Sequence, residues 1–166
     1  MVMNPNFKYP DTAAYKYVVD ELNRHGVELM DIAQIVYDLE KDFLPALTVA
    51  DYCAEVENVM HKRELLNNAM VGLQLDKLAT AGLLDAPLQA IIANDAGVFG
   101  VDETLASGIA NLWGSIGITN YGYVDHTKPG IIGQLDNSGT TVNTFIDDLV
   151  GAIAAAVAGK LAHKHA

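Results

Sequence analysis

The stretch VDETLASGIANLWGSIGITNYGYV, residues 101–124, decides the fold. After Glu103 it carries no charged side chain for 21 residues, close to the roughly 20 that a helix needs to span a bilayer. Yet Ser107, Asn111, Ser115, Thr119 and Asn120 are spread through it, among four glycines. Side chains of that kind suit a helix enclosed by other helices better than one facing lipid. A helix over residues 101–118, apolar around most of its circumference, is therefore expected at the centre of a bundle. Beyond it, residues 119–141 read as glycine-rich and irregular, with Pro129 and an Asn137-Ser138-Gly139 turn signal. Gly130-Ile131-Ile132 is the one segment that reads as a short extended piece.

Working outward, the remaining segments are helical. Asp11 is a capping candidate for residues 12–24, and Gly26 ends that helix. Leu29, Ile32, Ile35, Val36 and Leu39 recur at helical spacing, and Thr48 caps a third helix after Pro45. Residues 64–81 carry Leu65, Leu66, Ala69, Leu73 and Leu78, and Asp85-Ala86-Pro87 opens a short helix ending near Asn94. Residues 142–163 form the last helix, whose alanines, like the glycines of the 101–118 helix, allow backbones to approach closely. No alternating strand pattern persists. The expectation is an all-α fold, a single domain over residues 1–166 with about six helices around one apolar centre.

The chain of 166 residues is long enough to bury a core, and 51% of it is apolar, which argues against disorder. A formal charge of −11 disfavours both nucleic acid and an anionic membrane surface as a primary partner, and at most peripheral membrane contact is expected. The single Cys53 excludes an internal disulfide and fits a reducing cytosol. Residues 1–8 show no signal-peptide core. The protein is expected to be soluble and cytoplasmic, working there or at the inner face of the membrane, and the small-residue helices would serve a homo-oligomer as well as a core.

Charge is the second informative feature. Asp102, Glu103, Asp125, Asp136, Asp147 and Asp148 account for most of the acids after residue 84, and their neighbours are nearly uncharged. Lys128 is the only Lys or Arg between Lys77 and Lys160. Unpaired carboxylates beside apolar helices cost several kcal/mol when buried, roughly. One lysine cannot balance six acids, so a divalent cation held by oxygen ligands is the simplest solution, and it points to metal-assisted chemistry on phosphate.

Each group also has an ordinary explanation. Asp102-Glu103 and Asp147-Asp148 lie in first helical turns, where acids favour the dipole. Both helices, however, are apolar on nearly every face, which argues against mere surface caps. Adjacent helical residues project about 100° apart, so one of each pair can ligate while the other orients it or binds a second ion. Asp148 is the first choice for an inward ligand and Asp147 the next. Asp125 with Lys128 would make only a local ion pair if exposed. In a site, Asp125 becomes a metal ligand and Lys128 holds a phosphate oxygen. His126 is the one histidine inside the candidate region. Lys62, Arg63, Glu64, Asn67 and Asp76 form a second polar set, from which Arg63 could reach a phosphate.

The order Val101-Asp102-Glu103, then Asp125-His126-Thr127-Lys128-Pro129, then Phe145 to Ala154 with its Asp147-Asp148 pair, resembles the phosphatidylglycerophosphatase A family, most closely its small soluble, YutG-like branch. The likeness covers roughly residues 95–160, and residues 63–76 share it. It implies a bundle of about six helices with one central helix, and Mg²⁺-dependent removal of the terminal phosphate of phosphatidylglycerophosphate. It makes Asp102, Glu103, Asp147 and Asp148 catalytic, Lys128 phosphate-binding, and those four acids with Asp125 the metal ligands. The glycine-rich N-terminal motif and hydrophobic spans of membrane-embedded members are not found here, so the substrate is either the lipid, taken from the membrane surface, or a soluble phosphomonoester. Either a metal-bound water or an aspartate would attack phosphorus. Two other readings stay open: an all-helical nucleoside-triphosphate pyrophosphohydrolase, although this half of the chain lacks a Glu-x-x-Glu pair, and a non-catalytic protein that only binds cations.

Overall fold

A computed structural model describes residues 4–165; residues 1–3 of the N-terminal stretch, and Ala166, lie outside them. Nine α-helices follow in order among the described residues, with no strand: α1 (Asp11–Arg24), α2 (Leu29–Glu40), α3 (Val49–Met60), α4 (Arg63–Thr80), α5 (Leu88–Ala93), α6 (Val101–Ala110), α7 (Gly114–Thr127), α8 (Ile131–Asp136) and α9 (Ile146–Lys164). Local signals set several of these boundaries. Thr48 accepts the Asp51 N–H while the Asp51 carboxylate accepts the Thr48 N–H, a reciprocal cap that starts α3. Asp11 is the first residue of α1 rather than its cap, and its carboxylate takes both Arg63 nitrogens at 2.7 and 2.8 Å.

The fold is the expected bundle around one apolar helix, but that helix is α9. Every residue from 144 to 159 is buried, and α2, α3, α4, α6, α7 and α8 all pack against α9. Its alanines and glycines make this possible. A Cβ on Gly159 would sit 3.1 Å from the Gly117 nitrogen, so α7 and α9 touch backbone to backbone there. A chain with bulkier residues in α9 could not gather so many neighbours at this distance.

The helix expected over residues 101–118 is broken instead. After α6 a 3₁₀ turn spans Asn111–Trp113, and Gly114 takes φ 71°, ψ −155°, a conformation open in practice only to glycine. The chain doubles back, and α7 runs antiparallel to α9 as far as Thr127, through residues that read as irregular. The segment expected to be extended at residues 130–132 opens α8. This break has a functional consequence. In one continuous helix Asp102 and Asp125 would stand about 35 Å apart. The hairpin brings the start of α6 and the end of α7 to the same end of the bundle, beside the start of α9.

Candidate active site

Three helix ends meet there. Carboxylate oxygens of Asp102 and Glu103 from α6 and of Asp148 from α9 all lie within 4.8 Å of one another. Lys128, the residue that ends α7, reaches in from the other side. Its Nζ is 2.9 Å from Asp125, 2.9 Å from Asp147 and 3.3 Å from Asp148. Among the described residues it is the one basic side chain paired with this cluster. Its backbone is left-handed, with φ 43° and ψ 54°, directly before Pro129. That conformation is costly for a residue with a Cβ and persists only where the surroundings hold it.

Burial sets the electrostatics. Asp102, Asp147 and Asp148 are each no more than 7% exposed. Burial pushes Asp102 up to about 7, helped by a hydrogen bond with Glu103. Burial and then the charge of Asp147 push Asp148 up to about 8, and a hydrogen bond with Asp125 adds to this. Carboxyls raised in this way lower the charge of the cluster by keeping protons when no cation is bound. Asp147 is also raised, because burial outweighs its bond to Lys128. Burial works against the charge on Lys128, but its bonds to Asp147 and Asp125 win and hold it well above the ordinary lysine value.

The donor set fits a hard divalent cation. Three carboxylates converge, with no histidine or cysteine among them, as oxygen-preferring ions require. Beside the cluster lies a polar cleft of about 270 Å³, lined by Asn94, Asp95, Asp136, Ser138, Asn143 and Asp147 among others. Asp136 is exposed on the cleft wall, away from the three converging carboxylates. His126 is exposed and makes no hydrogen bond to the cluster. Arg63, at the start of α4, is bound to Asp11. The second polar set is thus not brought together.

Asp76 has a different task from the one its neighbours in sequence suggest. It is fully buried near the end of α4 and accepts the backbone N–H groups of Phe145 and Ile146 at 2.9–3.1 Å. It therefore caps the start of α9 from another helix and fixes the turn that carries Asp147 and Asp148. Burial pushes it up to about 8 despite those two donors. A signal of this exists in the chain: Asp76 stands three residues after Leu73, on the apolar stripe of α4.

The Phosphatidylglycerophosphatase A family profile matches residues 31–163. The chain belongs to the phosphatidylglycerophosphatase A family. Bacillus subtilis (strain 168) has two similar proteins. YpjQ is 42% identical over 158 residues, 95% of this chain and 89% of its own. YutG is 45% identical over 144 residues, 86% and 87% of the two chains. Solved structures agree in fold. The low temperature requirement C protein from Listeria monocytogenes superposes with a TM-score of 0.88 at 47% identity, covering 92% of this chain and 97% of that one. A protein of unknown function from Bacillus stearothermophilus gives 0.87 at 47% identity over 91% and 99%. Among the described residues no helix is long and apolar enough to cross a membrane.

Proposed function

We propose that this chain is a Mg²⁺-dependent phosphatase that removes the terminal phosphate of phosphatidylglycerophosphate or of a related phosphomonoester. The observation that carries this is the convergence of Asp102, Glu103 and Asp148 beside Lys128, in a chain of this family. A divalent ion held by those carboxylates, with Asp125 and Asp147 as the further candidate ligands, would supply positive charge to the phosphate oxygens. Lys128 adds a compact, oriented positive charge for one of them. Asp147, buried and lining the cleft, would exchange a proton with the departing oxygen in the arrangement where Asp125 rather than Asp147 completes the ligand set. The polar cleft receives the polyol that bears the phosphate. The chain acts as one all-helical unit from the cytoplasmic side, taking lipid at the membrane surface by peripheral contact.

The test is inorganic phosphate released from phosphatidylglycerophosphate in detergent micelles, with Mg²⁺ and with EDTA, beside Asp148→Asn. The expected result is release that needs the metal and falls by about a thousandfold in the variant. Full activity in EDTA, or in Asp148→Asn, would remove the metal site from the chemistry. Release only from soluble phosphomonoesters would keep the reaction and change the substrate.

A further inference from the structure

Two buried side-chain hydroxyls have no hydrogen-bond partner among the described residues, those of Tyr52 and Tyr121. Tyr121 is only 6% exposed and sits on α7 one turn before Asp125. Its ring packs on α9 at Gly151, with Cδ2 3.9 Å from where a Cβ there would lie. Gly151 follows Asp148 by three residues, so ring and carboxylate share one face of α9. Burial disfavours the ionised phenol, and the charges that act on it are those of Asp148, Asp125, Glu103 and Asp147, in that order. The hydroxyl is a buried donor whose ring packs one turn of α9 from Asp148, yet it bonds to no acceptor among the described residues.

The reason is visible in the cluster. Its oxygens are turned on Lys128: Asp147 at 2.9 Å and Asp148 at 3.3 Å both accept from the ammonium. A carboxylate that binds a cation through one oxygen keeps lone pairs on the other, and outer hydrogen bonds of that kind hold metal-ligating carboxylates in place.

Building on the cation site proposed above, we infer that Tyr121 is a positioning residue for it: its hydroxyl donates to Asp148 when that carboxylate turns to a divalent ion. Tyr121 needs no contact with substrate for this. It makes the metal-bound arrangement the one in which this buried hydroxyl is paired, and so favours that arrangement.

Tyr121→Phe removes the hydroxyl and keeps the ring. The experiment is Mg²⁺ titration by calorimetry on wild type, Tyr121→Phe and Tyr52→Phe, with melting temperatures in EDTA and the tyrosine near-ultraviolet difference spectrum on Mg²⁺ addition. Tyr52 is the matched control, since it is the second buried orphan hydroxyl and sits on α3, which carries none of the cluster's residues. The expected result is affinity weakened by about tenfold in Tyr121→Phe alone. Its metal-free melting temperature should be no lower than wild type, and the Mg²⁺-induced tyrosine difference band should vanish. Affinity within about twofold of a wild type that binds Mg²⁺ would overturn the inference and leave the cation site standing. So would an equal loss in Tyr52→Phe, or a metal-free melting temperature that falls with the affinity, since either marks a packing effect. A wild type that binds no Mg²⁺ would overturn the cation site and the inference together.

Discussion

The two ends of α9 handle charge in opposite ways. At its start, Asp147 and Asp148 share one lysine with Asp125, and Asp102 and Glu103 have no cation among the described residues. At its end the ratio is reversed: Glu55 of α3 takes both Lys160, at 2.6 Å, and Lys164, at 2.8 Å. Both ends obey the helix dipole, with acids at the positive pole and bases at the negative one. At one end the pairing is complete, and Glu55 is held below the ordinary range by its bond to Lys160 and then by Lys164. At the other the acids outnumber their partner, and burial holds Asp102 and Asp148 above the ordinary range. The structural ion pair is closed; the candidate site is left with charge to spare.

Breaking the unbalanced end should have the largest effect. Lys128→Met is expected to lower phosphate release by about a hundredfold or more, because a positive charge aimed at the transferred group is lost. Lys160→Met, at the balanced end, should leave turnover within about twofold, since that partly exposed pairing does not meet substrate. Equal losses in the two variants would erase the distinction between the ends.

Next comes the cap. Asp76→Ala strips the acceptor from two buried N–H groups at the start of α9, and the expected cost is about 2 kcal/mol in urea unfolding. A change under roughly 0.5 kcal/mol would show that α9 does not depend on its partner helix for capping.

The two ends should also respond to pH with opposite sign. Asp76 and Asp148 titrate near 8 and Asp102 near 7 in the folded protein, against 3.8 for the free side chain. Between those values the folded state holds protons that the unfolded state has released. Metal-free stability should therefore fall as pH rises from about 4 through 8. Glu55 has the reverse shift from its ordinary value of 4.5, so its contribution is present above that value and lost as pH falls through the lowered one. Melting temperatures in EDTA from pH 5 to 9 test the dominant trend. A rising curve would contradict it, and saturating Mg²⁺ should flatten the fall above neutral pH by replacing the shared protons. The smallest effect is Glu55→Gln. It should cost under about 1 kcal/mol in urea unfolding and leave Mg²⁺ affinity unchanged.

The same contrast explains what can be read from the sequence. Carboxylates isolated in uncharged surroundings are conspicuous, so Asp102, Glu103, Asp125, Lys128, Asp147 and Asp148 are legible from residue order alone, and the fold brings all six to one end of the bundle. The cap at Thr48 is legible because its chemistry is local. The centre of the bundle is not. Residues 101–118 and α9 are both apolar all round, and periodicity does not distinguish an enclosed helix from the one enclosing it. Nor is the break at Gly114, one of several glycines in a run where any could have turned the chain. Asp76 caps Phe145, 69 residues further along, and Asp148, whose charge acts most on Tyr121, comes from a different helix. Sequence spacing carries no trace of such pairs.

The placement of α9 also bears on how the molecule is made. Chains emerge in order, at about 5–20 residues per second. The helix on which α2, α3, α4, α6, α7 and α8 pack follows all of them in the sequence. These six helices, and the carboxylates of Asp102, Glu103 and Asp125 with them, are thus synthesised before their common floor exists. Their apolar faces have only one another to rest on until α9 arrives. The bundle is assembled like an arch, with its keystone set after the stones it holds.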